Sequence, residues 1–162
     1  MVLDIDIKGF GALRLEHLVL DLNGTLAVGG MVQKKLFSVV EALKEKVSIH
    51  LLSADTFGTA SNIADQMKIS LHVLKKGPDV SENEREQKGE FVNVLGWDKV
   101  VALGNGRNDV LMLKNARLGI AIIGEEGCAV ETLNSADAVF TNPIHALKML
   151  LNPQALKATL RM

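Results

Sequence analysis

His17-Leu18-Val19-Leu20-Asp21-Leu22-Asn23-Gly24-Thr25 is the stretch on which the reading of this chain turns. A short unbroken apolar run marks a strand buried on both faces of a sheet. Here the run ends in a carboxylate, followed by a turn of small residues. Ligands of open α/β sheets gather at the carboxyl ends of the strands, so Asp21 stands where chemistry is expected. Gly24 lets backbone N–H groups come close to a bound anion, and the Thr25 hydroxyl adds another donor. A carboxylate placed in this way can attack phosphorus and become an aspartyl-phosphate. Asn23 is the residue out of keeping, because an amide cannot shuttle a proton.

Outward from this segment, strand and helix patterns alternate. Residues 2–7 alternate apolar and acidic side chains, and Lys8-Gly9-Phe10-Gly11 supplies a turn, so an N-terminal β-hairpin is expected. After Thr25 comes a Gly-rich loop, Ala27-Val28-Gly29-Gly30. A helix is predicted over 32–46, with Leu36, Val39, Val40 and Leu43 on one face. A buried strand over 47–52 ends in Ser53-Ala54-Asp55. Then follow a helix over 56–67, a strand over 70–74, a polar loop over 75–83 and an amphipathic helix over 84–95. A fourth strand, 99–103, ends in Gly104-Asn105-Gly106-Arg107-Asn108-Asp109. Helices over 110–116, 127–133 and 143–151 alternate with strands over 118–122 and 136–140. The pattern predicts an α/β fold, a parallel sheet with helices on both faces in three layers, as one domain over residues 1–162.

Composition narrows the classes. The chain has 162 residues, 48% of them hydrophobic and 23% charged, which is globular and long enough for one real core. A net charge of -1 gives no reason to expect nucleic acid or an anionic membrane as the main partner. No apolar run approaches a membrane span, and no signal-peptide pattern opens the sequence. The single Cys128 cannot form an internal disulfide, so a cytoplasmic setting is expected. Cys128 itself reads as a small apolar residue. His17, His50, His72 and His145 lack metal-ligand spacing and read as structural, and Trp97 reads as a packing residue.

Right-handed crossovers bring the ends of parallel strands to one edge of the sheet, where distant clusters meet. Phosphoryl transfer needs a nucleophile, cations against the phosphate charge and donors for its oxygens. Asp21 supplies the first, Lys88 a fixed charge (with Lys75 or Lys76 as alternatives) and Ser53 a hydroxyl. Mg²⁺ takes one or two carboxylates and keeps several waters. Asp21 and Asp109, helped by the Asn105 side-chain oxygen and a backbone carbonyl near Asn23, form a candidate set.

These residues carry a resemblance. The chain is similar to haloacid dehalogenase superfamily phosphatases, and particularly to the phosphorylation domain of P-type ATPases. Asp21-Leu22-Asn23-Gly24-Thr25-Leu26 resembles the D-K-T-G-T-L motif. Leu51-Leu52-Ser53-Ala54-Asp55 resembles the T-G-D-N segment, and Lys88 falls where the phosphate-binding lysine is expected. Gly104-Asn105-Gly106-Arg107-Asn108-Asp109 resembles G-D-G-x-N-D, and Leu118-Gly119-Ile120-Ala121-Ile122 the strand after it. The likeness runs in order over residues 18–140.

The resemblance implies a three-layer, doubly wound, capless fold, phosphorylation of Asp21, assistance by Mg²⁺ and release of phosphate by water. It implies catalytic roles at Asp21, Asn23, Ser53 and Lys88, and phosphate contacts from Gly24, Thr25, Ser53, Ala54, Lys88 and Asn108. It places the metal at Asp21, Asn23, Asn105 and Asp109. Capless relatives take bulky phosphorylated substrates or cover the site with a neighbouring subunit, so a homo-oligomer is expected. Asn23 replaces the usual general acid, and Asn105 an aspartate of the metal site, which points to weak turnover and weaker metal affinity. Beside a Mg²⁺-dependent phosphatase, two other readings stand: a non-catalytic binding or regulatory domain, and an ATPase-like phosphotransferase.

Overall fold

The computed structural model describes residues 1–54, 58–75 and 80–162, and of residues 80–83 the backbone alone. The chain opens with an antiparallel hairpin, β1 (Leu3–Ile7) and β2 (Gly11–Leu15). Leu3, Ile5, Ile7, Leu13 and Leu15 are its buried face. β3 (His17–Asp21) follows at once and becomes a central strand.

The Gly-rich loop after β3 is itself a small hairpin, β4 (Ala27–Val28) and β5 (Met31–Val32). Gly29 and Gly30 turn it with φ of 57° and 77°. Two successive positive φ values are what a two-residue hairpin turn of the right twist requires, and glycine adopts them freely. Two-residue strands carry too little periodicity to be read in advance.

Next come α1 (Lys34–Lys44), β6 (Ser48–Ser53), α2 (Ala60–Met67) and β7 (Ser70–Val73). The predicted start of α2 at 56, together with Asp55, falls outside the described residues. α3 (Val80–Leu95) begins within the segment expected to be a loop. Its first turn, Val80-Ser81-Glu82-Asn83, lacks the apolar stripe by which the rest was recognised.

β8 (Val100–Gly104), α4 (Val110–Asn115), β9 (Leu118–Ile122), α5 (Val130–Leu133), β10 (Ala138–Phe140) and α6 (Pro143–Leu150) complete the alternation. A last helix, α7 (Pro153–Leu160), lies beyond the predicted elements. Its start signal is present in the sequence: the Asn152 side chain accepts N–H bonds from Gln154 and Ala155, and Pro153 takes the first turn. Trp97 is 56% exposed on a short 3₁₀ turn, not packed as expected. There the turn's backbone matters, since the Trp97 carbonyl accepts the Arg117 N–H at 2.8 Å.

Six strands form one parallel sheet in the order β10-β9-β8-β3-β6-β7. Order reverses beside β3, which puts a crevice at its carboxyl end. One face packs Leu18, Leu20, Leu51 and Leu103 against α1, α2, α6 and the opening hairpin. The other packs Val19, Leu52 and Ala102 against Val92 of α3 and Met112 of α4. Gly119 is needed where β9 passes α4, because a Cβ there would lie 2.5 Å from the Leu113 carbonyl oxygen. Among the described residues no helix is long and apolar enough to cross a membrane.

Three of the four histidines are packed into one chain. His17 Nδ1 lies 3.2 Å from His50 Nε2, and His50 Nδ1 lies 3.3 Å from His72 Nε2. The rings step diagonally across β3, β6 and β7, with Phe91 of α3 against the last two. Burial lowers the pKa of all three, and for His50, flanked by the other two rings, to about 4. His145 stands apart, exposed on α6.

Candidate active site

β3 delivers Asp21 to the crevice with both carboxylate oxygens engaged. Oδ1 accepts a bond from Lys88 Nζ at 2.6 Å, and Oδ2 accepts from the Thr25 hydroxyl at 2.8 Å. Lys88 comes from the middle of α3 and is 1% exposed. Its Nζ also donates to Asp109 Oδ1 at 2.6 Å. A lysine so deep stays charged only because two carboxylates flank it. Burial pulls its pKa down, but Asp109 and Asp21 outweigh that, and the net shift is upward. For Asp21 burial works in the same direction as the Asp109 charge. Together they push it up to about 6 against the opposing pull of Lys88 and Thr25.

The neighbouring glycines make this geometry possible. Gly24 has φ +78°, and its N–H bonds the Ala27 carbonyl at 2.8 Å, closing the turn after the carboxylate. A Cβ at Gly24 would collide with Asn105 Nδ2 and lie 2.8 Å from Glu126 Oε2. Gly89, next to Lys88, lets α3 press against α4, where a Cβ would meet Leu111 Cβ at 2.8 Å. Glycine inside a helix costs about 0.5–1 kcal/mol relative to alanine. Here it allows the close approach that carries Lys88 to Asp21.

Asp109 is wholly buried, and its second oxygen, Oδ2, accepts the backbone N–H groups of Asn105 and Gly106, each at 2.9 Å. Both of its oxygens are therefore occupied in bracing Lys88 and the loop after β8. Asn105 Oδ1 lies 3.1 Å from the Thr25 hydroxyl, and Nδ2 donates to the Gly127 carbonyl at 3.3 Å. The expected cluster of Asp21, Gly24, Thr25, Lys88, Asn105 and Asp109 is thus one connected network. Lys88, not Lys75, is the lysine in it. Lys75 instead bonds through its backbone to the Gln87 amide, and Lys76 falls outside the described residues.

The other expected site residues stand nearby. Ser53 is buried at the end of β6, one residue past Leu52, the register partner of Asp21, and Ala54 follows it half-buried. Asn108 is half-buried and gives its side-chain N–H at 2.9 Å to Oε2 of Glu84, four residues before Lys88 on α3. Asn23 Oδ1 is buried with no hydrogen-bond partner among the described residues. Burial and the Asp109 charge raise the Cys128 thiol, away from the reactive thiolate. Glu126 went unnoticed in the sequence. It belongs to no motif, and only tertiary contact brings it over Gly24.

The fold of this chain is shared with solved structures. A protein described as a HAD-superfamily (subfamily III A) hydrolase from Legionella pneumophila superposes with a TM-score of 0.69, at 14% identity, over 90% of this chain and 86% of its own. The fold is that of the haloacid dehalogenase superfamily. The 3-deoxy-D-manno-octulosonate 8-phosphate phosphatase of Moraxella catarrhalis, solved with magnesium, phosphate and its sugar acid, matches with a TM-score of 0.67 at 13% identity, over 89% and 90% of the two chains. A zinc-transporting PIB-type ATPase shares the fold too, with a TM-score of 0.62 and 21% identity. That match takes in 80% of this chain and 20% of the transporter, so it concerns one part of a much longer protein.

In sequence, an uncharacterized protein of Methanocaldococcus jannaschii is 52% identical over 63 residues, which are 39% of this chain and 68% of that one. The chain belongs to the family of that protein. No family model matches it.

Proposed function

We propose that this haloacid dehalogenase-fold protein is a phosphatase that transfers a phosphoryl group to Asp21 and then to water. The observation that carries this reading is the network around Asp21. A buried carboxylate ends a central strand, with one oxygen held by a lysine and the other by a hydroxyl. Lys88 fixes the carboxylate's orientation, and its positive charge beside the nucleophile would offset the charge of phosphate oxygens there. The Gly24 and Thr25 N–H groups close their own turn on the Ala27 and Leu22 carbonyls, so the Ser53 hydroxyl at the end of the next strand is the candidate donor for them.

In the first step an Asp21 oxygen bonds to phosphorus and the bond to the leaving oxygen breaks with its electron pair. In the second, water attacks the same phosphorus and the bond to Asp21 breaks, returning the carboxylate and inorganic phosphate. Asn23 cannot protonate the leaving oxygen. The reading therefore favours leaving groups that depart as stable anions, such as aryl or acyl phosphates.

The residues present suit Mg²⁺. Their donors are hard oxygens, of Asp21, Asn105 and the Asn23 backbone, and Asn23 Oδ1 is an acceptor without a donor. Among the described residues no three His, Cys, Asp or Glu side chains converge on one point, which fits an ion that uses one or two carboxylates and keeps its waters. Once bound, such an ion would offset phosphate charge. Its weak protein coordination accords with Asn105 in place of a carboxylate.

The test is release of inorganic phosphate from p-nitrophenyl phosphate and from acyl and alkyl phosphates, with and without Mg²⁺. Asp21→Asn, nearly isosteric, should abolish turnover and keep the fold. Undiminished release in that variant would remove Asp21 as nucleophile.

A further inference from the structure

Asn105 costs this site a negative charge, and the two carboxylates of the network, Asp21 and Asp109, are both already bound to Lys88. Asp21 is the nucleophile. Asp109 is fully enclosed, with one oxygen on Lys88 and the other on two backbone N–H groups. One more carboxylate reaches the same place from outside the motifs. Glu126 sits in the loop after β9 and extends over Gly24, with Oε2 2.8 Å from where a Gly24 Cβ would be. The Asn105 amide crowds the same point, and Gly24 directly follows Asn23.

The loop that carries Glu126 is anchored to the site. Gly127 N–H bonds the Gly124 carbonyl at 2.9 Å, and the Gly127 carbonyl receives Asn105 Nδ2. Ala129 N–H bonds the Asn105 carbonyl at 2.9 Å. Gly124 passes so near the nucleophile turn that a Cβ on it would lie 3.3 Å from the Gly24 carbonyl. Despite these ties the Glu126 carboxylate has no hydrogen-bond or ion-pair partner among the described residues. The neighbouring Glu131, by contrast, is paired with Arg85 and Arg107. The residue before Gly24 holds a second such acceptor, the buried Asn23 Oδ1, which has no partner among the described residues.

We propose that Glu126 is the second anionic group of the divalent-cation site, supplying from the loop after β9 the charge that Asn105 lacks. This rests on the phosphatase reading, in which Asp21 and Asn105 hold Mg²⁺. Glu126 is exposed, and Mg²⁺ keeps much of its water shell, so the carboxylate holds the ion through its hydration shell. Gly24 is then doubly required, for its positive φ and for the room that Glu126 and Asn105 occupy.

The experiment is titration of Mg²⁺ alone into the full chain by isothermal calorimetry, with no substrate present. Glu126→Gln keeps the shape and should weaken Mg²⁺ binding about tenfold, the lower range for groups that support a metal's direct ligands. Glu125→Gln, one residue away, should bind as the wild type does. Adding Asn105→Asp to Glu126→Gln should bring affinity back, since it returns the charge from the other side of Gly24. Equal Mg²⁺ affinity in the wild type and Glu126→Gln would overturn the assignment of Glu126 and leave the phosphatase reading standing. A wild-type protein that binds no Mg²⁺ would overturn both, and so would be told apart from the first outcome.

Discussion

Replacing Lys88 by methionine tests the network at its centre. The hydrocarbon stem is retained in kind, so packing changes little, but the charge between Asp21 and Asp109 is lost. Lys88 Nζ is 2.6 Å from an oxygen of each, with Lys88 1%, Asp21 9% and Asp109 0% exposed in their side chains. Breaking a buried ion pair by removing one partner costs about 3–5 kcal/mol, because the remaining charge is left without compensation. Two carboxylates are left here, adjacent to each other, so the upper half of that range is expected. For a domain of this size about 1 kcal/mol corresponds to roughly 2–4 °C, so the melting temperature should fall by about 8–20 °C. The pH dependence gives a second signature. Without Lys88, Asp21 loses the charge that opposes its upward shift, so its folded-state pKa stands further above the unfolded value, near 3.9. The folded variant then binds more protons, and its deficit shrinks as pH falls from about 7.5 to about 5. Urea unfolding followed by circular dichroism at both pH values measures this. A variant within about 1 kcal/mol of the wild type at neutral pH, or a deficit that grows on acidification, would refute the reasoning.

Three further outcomes are expected. The His17-His50-His72 chain is neutral when folded, with His50 lowered to about 4 chiefly by burial. The unfolded chain therefore takes up protons first, and stability present above about pH 6.5 is lost as pH falls toward about 4, by roughly 1–2 kcal/mol after allowance for partial solvent exposure. The stability difference between wild type and His50→Gln should change across that window, and a constant difference counts against it. Asn23→Asp supplies a general acid and should raise turnover of alkyl phosphates by about 10²–10⁴-fold, with a smaller gain on p-nitrophenyl phosphate, whose leaving group needs no proton. Equal gains on both would exclude protonation of the leaving oxygen as the missing element, and no gain on either would favour a binding or regulatory role. Gly119→Ala places a methyl 2.5 Å from a backbone oxygen of α4 that cannot swing aside. It should lower stability by about 1–3 kcal/mol, and an unchanged melting temperature would show that β9 and α4 are less tightly joined than they look.

The sequence by itself determined the parallel sheet, the place of Asp21 at a strand end and most of the residues around it. Those signals are local: apolar runs such as Leu18-Val19-Leu20, turn glycines and polar clusters at strand ends follow from the backbone's few allowed shapes and from burial. Even there the β4–β5 hairpin was too short to show a period, and α7 was announced only by Asn152-Pro153. Which lysine serves Asp21 was a matter for tertiary structure. Lys88 is one charge among several on α3, and only the approach of that helix at Gly89 buries it. In the same way Asp109 reads as a metal ligand in the motif, and only folding shows one of its oxygens on Lys88 and the other on two backbone N–H groups. His17, His50 and His72 show no common spacing along the chain, yet sheet register stacks them within hydrogen-bonding distance. Glu126 is the plainest case. Nothing near it in sequence gives it a role, and its place over Gly24 comes from the crossover that returns β9 to the same sheet edge as β3. Contacts between residues far apart in sequence depend on how whole elements pack, and no local pattern encodes that.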